Sequence, residues 1–146
     1  MQREKIFVDT GAWVALTDID DAYHKDAVSI FPSLLKTHQE LITSNLVVAE
    51  SYILILKALG HNAAIEFLDR INISPRITRI YSSFDLEKEA EVILKKYEDH
   101  DFSYTDAVSF TIMRKEKIIN AFSLMTIELT HHKLLGDTLS KQPASD

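Results

Sequence analysis

The sequence predicts an α/β fold in which helices flank a parallel β-sheet. Short runs of β-branched and aromatic residues alternate along the chain with longer segments whose apolar residues recur at helical spacing. The resulting order is strand, helices, strand, helices, strand, helices, strand. This alternation of strands and helices argues for a parallel sheet flanked by helices.

Four segments have the character of strands. Residues 5–9 form a short run of β-branched and aromatic residues that is typical of a buried strand. Residues 76–81 alternate polar and apolar side chains, which indicates a strand near a sheet edge or with one solvated face. The other two predicted strands are residues 40–43 and 121–124.

The predicted helices begin at residues that can cap them. Thr10 lies near the cap of the first helix, Asp21 can cap the second, and Ser44 or Asn45 can cap the third. The predicted ranges are 10–16, 22–35, 44–59, 61–71, 85–97 and 104–115, with Asp85 opening the fifth.

Two residues are expected to interrupt or end helices. Pro32 falls inside the second predicted helix and should kink or end it, since proline lacks the backbone N–H. Gly60 follows the third helix and should end it. Among the aromatic residues, Trp13 and three phenylalanines are assigned to the core: Phe7, Phe110 and Phe122.

The composition fits one soluble domain. A chain of 146 residues is long enough to bury a sizeable core, and we expect residues 1–146 to form a single domain whose polar tail after Gly136 can fray. The absence of cysteine excludes disulfides and thiolate metal sites. No signal-peptide pattern and no membrane-length apolar run occurs, so we expect a cytoplasmic protein without membrane contact.

The formal net charge of −6 argues weakly against tight, nonspecific binding to long nucleic acid. The charge does not decide whether the substrate carries phosphate. A cluster of acidic metal ligands itself adds negative charge, and a bound divalent cation reverses that charge locally.

Three isolated carboxylates are the candidate functional residues. Asp9 ends the first strand, whereas Glu50 and Asp106 lie within the first turns of predicted helices. In parallel sheets these positions meet at the carboxyl edge of the strands, where sites form. Carboxylates in apolar runs are costly to desolvate without a compensating cation. Their oxygens suit Mg²⁺ or Mn²⁺, which predicts a metal-dependent hydrolase.

Each carboxylate also has a simpler interpretation. Asp9 can be a turn former or a helix cap, Glu50 can lie on a solvated helix face, and Asp106 can be a first-turn acid stabilised by the helix dipole. The three together, at compatible strand and helix ends, are more specific than any one of them.

At these residues the chain resembles the PIN-domain family of ribonucleases, especially the VapC-type toxins of bacterial and archaeal toxin–antitoxin pairs. The resemblance rests on the order and spacing of five short stretches: FVDTGAW at 7–13, DAYH at 21–24, TSNLVVAE at 43–50, YEDHDFSYTDAVSF at 97–110 and AFSL at 121–124.

The resemblance implies a three-layer α/β/α fold with a central, mainly parallel sheet of four to five strands. It also implies endonucleolytic hydrolysis of RNA at a Mg²⁺ or Mn²⁺ site, with Asp9 and Asp106 as principal ligands and Glu50 as the third acid. Toxins of this family usually form homodimers and are held inactive by a cognate antitoxin protein that inserts into the active-site groove.

The chain departs from the family pattern after the last predicted strand. The family commonly carries a fourth acid there, but this sequence has Met125, and Glu128 could substitute only if the loop is rearranged. A catalytically weakened homologue that binds RNA or a protein without turnover therefore stays open. A hydrolase acting on DNA or on other phosphoesters is a further alternative.

Overall fold

The structure is a computed structural model that describes residues 4–123. Its elements, in chain order, are β1 (Lys5–Val8), α1 (Thr10–Thr17), α2 (His24–Thr37), β2 (Glu40–Ser44), α3 (Asn45–Leu59), α4 (His61–Ile73), β3 (Ile77–Ile80), α5 (Phe84–Lys96), α6 (Tyr104–Lys115) and β4 (Asn120–Phe122). In the described part of the chain the four strands form one sheet in the order β3-β2-β1-β4, and every pair is parallel. The predicted α/β class is confirmed.

The helices pack in two groups around this sheet, which gives the three-layer α/β/α architecture. Helix α1 packs against α2 and α3, and α3 packs against α4, whereas α5 packs mainly against α6. The central strand β1 is covered on both faces, so Ile6, Phe7 and Val8 are almost fully buried. The four aromatic residues assigned to the core from the sequence are all buried as well.

The register brings the carboxyl ends of the strands to one edge, called here the carboxyl edge. Phe7 of β1 pairs with Ile42 of β2, and Ser44, at the end of β2, pairs with Ile80 of β3. Extending the first pairing by two residues places Asp9 level with Ser44. Helices α1 and α3 begin directly at this edge.

The predicted caps of the third helix at Ser44 and Gly60 are confirmed, and one predicted helix start is shifted. Ser44 caps α3 by accepting a hydrogen bond from the N–H of Val47 at 3.1 Å. Gly60 ends α3 with φ +92°, in the left-handed region that favours glycine, and α4 follows at once. Helix α5 begins at Phe84 and is capped by Ser83, not opened by Asp85, because the Ser83 hydroxyl accepts from the N–H of Leu86.

The second helix differs from the prediction at its start. It begins at His24, so the expected cap at Asp21 is wrong. Asp21 instead forms a turn ahead of the helix: its side chain accepts from the N–H of Tyr23 at 2.9 Å and its backbone carbonyl accepts from His24. A short Asp side chain satisfies local N–H groups equally well in a turn or at a cap.

Pro32 does not end this helix, which continues to Thr37. Proline removes the N–H that would bond the carbonyl of Val28. Both residues are exposed, so water can solvate that carbonyl. The helix therefore tolerates the proline at a cost in stability.

Among residues 4–123 no helix combines the length and the apolar character needed to cross a lipid bilayer.

Replacing Pro32 by Ala should raise the free energy of unfolding by about 2 kcal/mol, because it restores a helical hydrogen bond, partly offset by a more flexible unfolded chain. Urea denaturation measures the change. Ser33→Ala, at the neighbouring exposed position, is the control. Equal stabilities of Pro32→Ala and the wild type would contradict the expectation.

Candidate active site

Asp9 is held between β4 and the start of α1. Its backbone N–H donates to the carbonyl of Phe122 at 3.2 Å, and its Oδ1 accepts from the N–H of Thr10 at 2.8 Å. The residue is the N-cap of α1, so the cap interpretation of the sequence is met. Asp9 is only 9% exposed, and that degree of burial is unusual for a helix-capping carboxylate.

Glu50 reaches the same place from the second turn of α3. Its Oε2 accepts a hydrogen bond from Thr10 Oγ1 at 3.3 Å, although the two residues are 40 positions apart in the chain. Glu50 is half-buried and does not lie on a fully solvated face. Thr10 therefore contacts both acids, through its N–H to Asp9 and through its hydroxyl to Glu50.

Asp106 lies in the first turn of α6 and closes a capping box with Ser103. The Ser103 hydroxyl accepts from the Asp106 N–H at 3.0 Å, and Asp106 Oδ2 accepts from the Ser103 N–H at 3.0 Å. The positive end of the helix dipole favours a carboxylate at this position. The first-turn role considered from the sequence is thus observed.

The three carboxylates are coupled electrostatically. Burial raises the pKa of Asp9 from 3.8 to about 6; the hydrogen bond from the Thr10 N–H opposes the rise, and the negative charges of Asp106 and then Glu50 add to it. A carboxylate in this position binds a proton or a cation more readily than an exposed one. The predicted convergence of Asp9, Glu50 and Asp106 agrees with this coupling.

The acids do not form a compact cage. Within residues 4–123, no three acidic or imidazole side chains are gathered closely enough to hold a metal ion. The hydrogen bonds explain this arrangement: Asp106 is turned to its own capping box, and Glu50 is turned to Thr10. A cation would compete with the Ser103 N–H for Asp106. Met125 and Glu128, on which the question of a fourth acid depends, lie outside the described residues.

A layer of side chains under Asp9 joins β1, β2 and α1. Trp13 Nε1 donates to Thr43 Oγ1 at 3.3 Å, and the Thr43 hydroxyl donates to the carbonyl of Val8 at 3.3 Å. All three residues are buried. This chain of bonds satisfies the Val8 carbonyl at the point where β1 ends and the site begins.

Two residues at the site were not predicted from the sequence. Thr10 contacts the acids directly, and Asn45 lies next to the site at the start of α3. Thr10 was visible only as a residue near a cap, and its position beside Asp9 was the available signal. Asn45 accepts the N–H of Ser82 on its Oδ1 at 2.8 Å, which ties the start of α3 to the segment after β3. Nothing in the local sequence indicates this contact over 37 positions.

Comparisons with known proteins agree with this architecture. A sequence profile of the PIN domain matches residues 6–124. The 23S rRNA-specific endonuclease VapC20 of Mycobacterium tuberculosis is 35% identical over 118 residues, which cover 81% of this chain and 87% of that protein. A VapC ribonuclease of Archaeoglobus fulgidus is 29% identical over 143 residues, which cover 92% of this chain and 90% of that protein.

A solved structure shows the same fold. The crystal structure of the M. tuberculosis VapC20, described as a Sarcin-Ricin loop cleaving toxin, matches with a TM-score of 0.77 at 34% identity. The match covers 83% of this chain and 90% of that one.

The raised pKa of Asp9 predicts that the metal-free protein loses stability as pH rises. Below about pH 4 the carboxyl is protonated in both the folded and unfolded states. Between about pH 4 and pH 6 the Asp9 carboxyl ionises readily only in the unfolded chain. The free energy of unfolding therefore falls by up to about 3 kcal/mol by pH 7. Asp9→Asn should remove this loss and be more stable than the wild type at pH 7.

Urea denaturation in EDTA, between about pH 4 and pH 7, measures this difference. Asp20→Asn, in the exposed turn after α1, controls for the loss of one negative charge. Parallel stability profiles of the wild type and Asp9→Asn would contradict the expectation.

Proposed function

We propose that this chain, which belongs to the PIN domain family, is a metal-dependent endoribonuclease that hydrolyses RNA phosphodiester bonds. The observation that carries the proposal is the buried Asp9 carboxylate, whose pKa is raised by burial and by the charges of Asp106 and Glu50. A buried carboxylate close to other negative charges is unfavourable by itself, and a bound cation would compensate it. The similarity to two proteins named as ribonucleases supports RNA as the substrate.

Asp9, Glu50 and Asp106 are the proposed ligands of Mg²⁺ or Mn²⁺. All three offer oxygen donors, which hard divalent cations prefer. The chemistry that such a cation supplies is polarisation of a phosphoryl oxygen and a lower pKa of water. We assign Asp9 and Asp106 as the principal ligands and Glu50 as the third acid.

The residues around the acids position them. Thr10 holds Asp9 Oδ1 with its N–H and Glu50 Oε2 with its hydroxyl, so that one residue sets the orientation of two carboxylates. The capping box at the start of α6 orients Asp106, whose charge raises the pKa of Asp9. The cluster repels a phosphate group when no cation is present, so a bound cation would strengthen binding of the scissile phosphate.

The biological role that we propose is the toxin of a toxin–antitoxin pair. The VapC relatives support this role, and the partners would then be an RNA substrate, a cognate antitoxin protein and a second copy of the chain in a homodimer. Such a toxin would act in the cytoplasm. The relative named as cleaving the Sarcin-Ricin loop makes a 23S rRNA fragment with that loop the first substrate to test.

A second candidate is a catalytically weakened member of the family that binds RNA or a protein. Met125, where the family carries a fourth acid, favours this candidate. The absence of a compact three-ligand cage in residues 4–123 points in the same direction.

Cleavage of the rRNA fragment in Mg²⁺, in Mn²⁺ and in EDTA tests the proposal. Asp9→Asn and Asp106→Asn should each lower the rate by about 100- to 1,000-fold, because each removes a charge that stabilises the cation in the transition state. Asp69→Asn, with the same charge change on the exposed face of α4, is the control. Undiminished cleavage by both site variants would contradict the assignment. RNA binding without cleavage by the wild type would favour the weakened homologue.

Thr10→Val should raise the Mn²⁺ concentration required for half-maximal cleavage by about 10-fold, because it removes the hydroxyl that orients Glu50 and keeps the side-chain volume. Thr10→Ser retains the hydroxyl and should restore the metal requirement of the wild type. A metal titration of the cleavage rate measures both variants. An unchanged titration midpoint in Thr10→Val would exclude a positioning role.

A further inference from the structure

Two exposed aromatic residues lie beside the acidic site. Tyr81 and Phe84 are 66% and 75% exposed; Tyr81 directly follows β3, and Phe84 is the first residue of α5. Single exposed apolar side chains are common on protein surfaces and need no function. Their position, their fixed backbone and their cationic neighbours distinguish these two.

The register places this pair close to Asp9. Ile80, the last residue of β3, pairs with Ser44, and Ser44 is level with Asp9 by extension of the β1–β2 pairing. Two strand spacings, or about 10 Å, therefore separate the backbone of Asp9 from that of Ile80. Tyr81 follows directly, at the same carboxyl edge, within reach of a nucleotide that flanks the scissile phosphate.

Hydrogen bonds fix the segment that carries the rings. The Ser82 N–H donates to Asn45 Oδ1 at 2.8 Å, and the Ser82 hydroxyl donates to Glu87 Oε2 at 3.1 Å. Ser83 caps α5. Because Asn45 is the first residue of α3, the segment is tied to the helix that carries Glu50. The two rings are thus presented on a preorganised backbone, which lowers the entropy cost of binding.

Each ring has a cation over it. The Arg79 guanidinium lies 5.8 Å from the centroid of the Tyr81 ring, and the Lys88 ammonium lies 5.3 Å from the centroid of the Phe84 ring. Arg79 also donates to the Tyr81 hydroxyl at 3.1 Å. Proteins that bind single-stranded nucleic acid combine aromatic stacking with such cations.

Electrostatic attraction alone does not account for RNA binding at this edge. The whole chain carries a net charge of −6, and Asp85 and Glu87 lie in the first turn of α5, beside Phe84. Stacking of a base on an aromatic ring does not depend on net charge and tolerates any base. A duplex hides the faces of its bases, whereas loops and single strands expose them.

We propose that Tyr81 and Phe84 stack on unpaired bases next to the scissile phosphate and so select single-stranded or loop RNA over duplex. This inference rests on the proposed endoribonuclease function and names the class of RNA that the site accepts. The two residues are specificity determinants outside the acidic cluster.

Equilibrium binding to the full chain carrying Asp9→Asn, which is expected to slow cleavage by about 100- to 1,000-fold, tests the inference. The probes are a fluorescein-labelled single-stranded RNA of mixed sequence and the duplex formed with its complement, both in Mg²⁺. Tyr81→Ala and Phe84→Ala should each weaken single-strand binding by about 5- to 100-fold and leave duplex binding unchanged. Tyr81→Phe and Phe84→Tyr keep the rings and should keep the affinity.

The matched control is Ile119→Ala, which removes a side chain that is 65% exposed directly before β4, at the amino end of the parallel strands. Equal losses for single strand and duplex, unchanged affinities in both alanine variants, or no measurable single-strand binding would each overturn the inference. A changed oligomeric state with unchanged RNA affinity, measured by light scattering, would also overturn it and assign the rings to a protein interface.

The outcomes separate this inference from the proposed function. Cleavage by the wild type, with KM and single-strand affinity unchanged in Tyr81→Ala and Phe84→Ala, would retain the nuclease and remove the stacking role. Absence of cleavage by the wild type, with ring-dependent selection of single strands, would retain the stacking role and contradict the nuclease.

Discussion

The burial of one carboxylate at the end of the central strand is the constraint on which the site depends. Asp9 must leave water because β1 is covered on both faces and ends beneath α1. Burial and two neighbouring negative charges raise its pKa to about 6. The Thr10 N–H, the one contact that lowers this pKa, opposes the rise only in part. The fold therefore carries an electrostatic cost that a bound cation would remove, which is why the cluster favours a catalytic interpretation over a structural one.

The remaining acids are stabilised without a cation, and this explains why the site, as far as residues 4–123 form it, has charge but no compact cage. Asp106 completes a capping box, and Glu50 accepts from Thr10, so each has a local partner. The same contacts hold both carboxylates at the carboxyl edge. A bound cation would replace these hydrogen bonds by coordinating the carboxylate oxygens. Tyr81 and Phe84 extend this edge with aromatic surface, and stacking on such rings does not depend on the negative net charge of the chain.

Much of the fold followed from local patterns, and each departure from the prediction has its own physical cause. The strands and most helices were predicted because alternation, helical spacing and the cap at Ser44 are encoded by near neighbours. The predicted cap at Asp21 was wrong because a turn and a cap use the same side-chain chemistry. Pro32 does not end α2 because an exposed helix tolerates a missing hydrogen bond. Among the site residues, three isolated acids in apolar surroundings were visible, whereas Thr10 looked like an ordinary residue near a cap.

The sequence by itself determined the α/β class, the parallel sheet and the three candidate acids, since these depend on the periodicity and composition of short segments. Only the tertiary structure decided that Thr10 bonds Glu50 across 40 positions, that Asn45 holds the segment after β3, and that Tyr81 follows the residue level with Asp9. The physical reason is that such contacts depend on strand order and register. Those follow from how the whole core packs, and no local stretch of the chain encodes them.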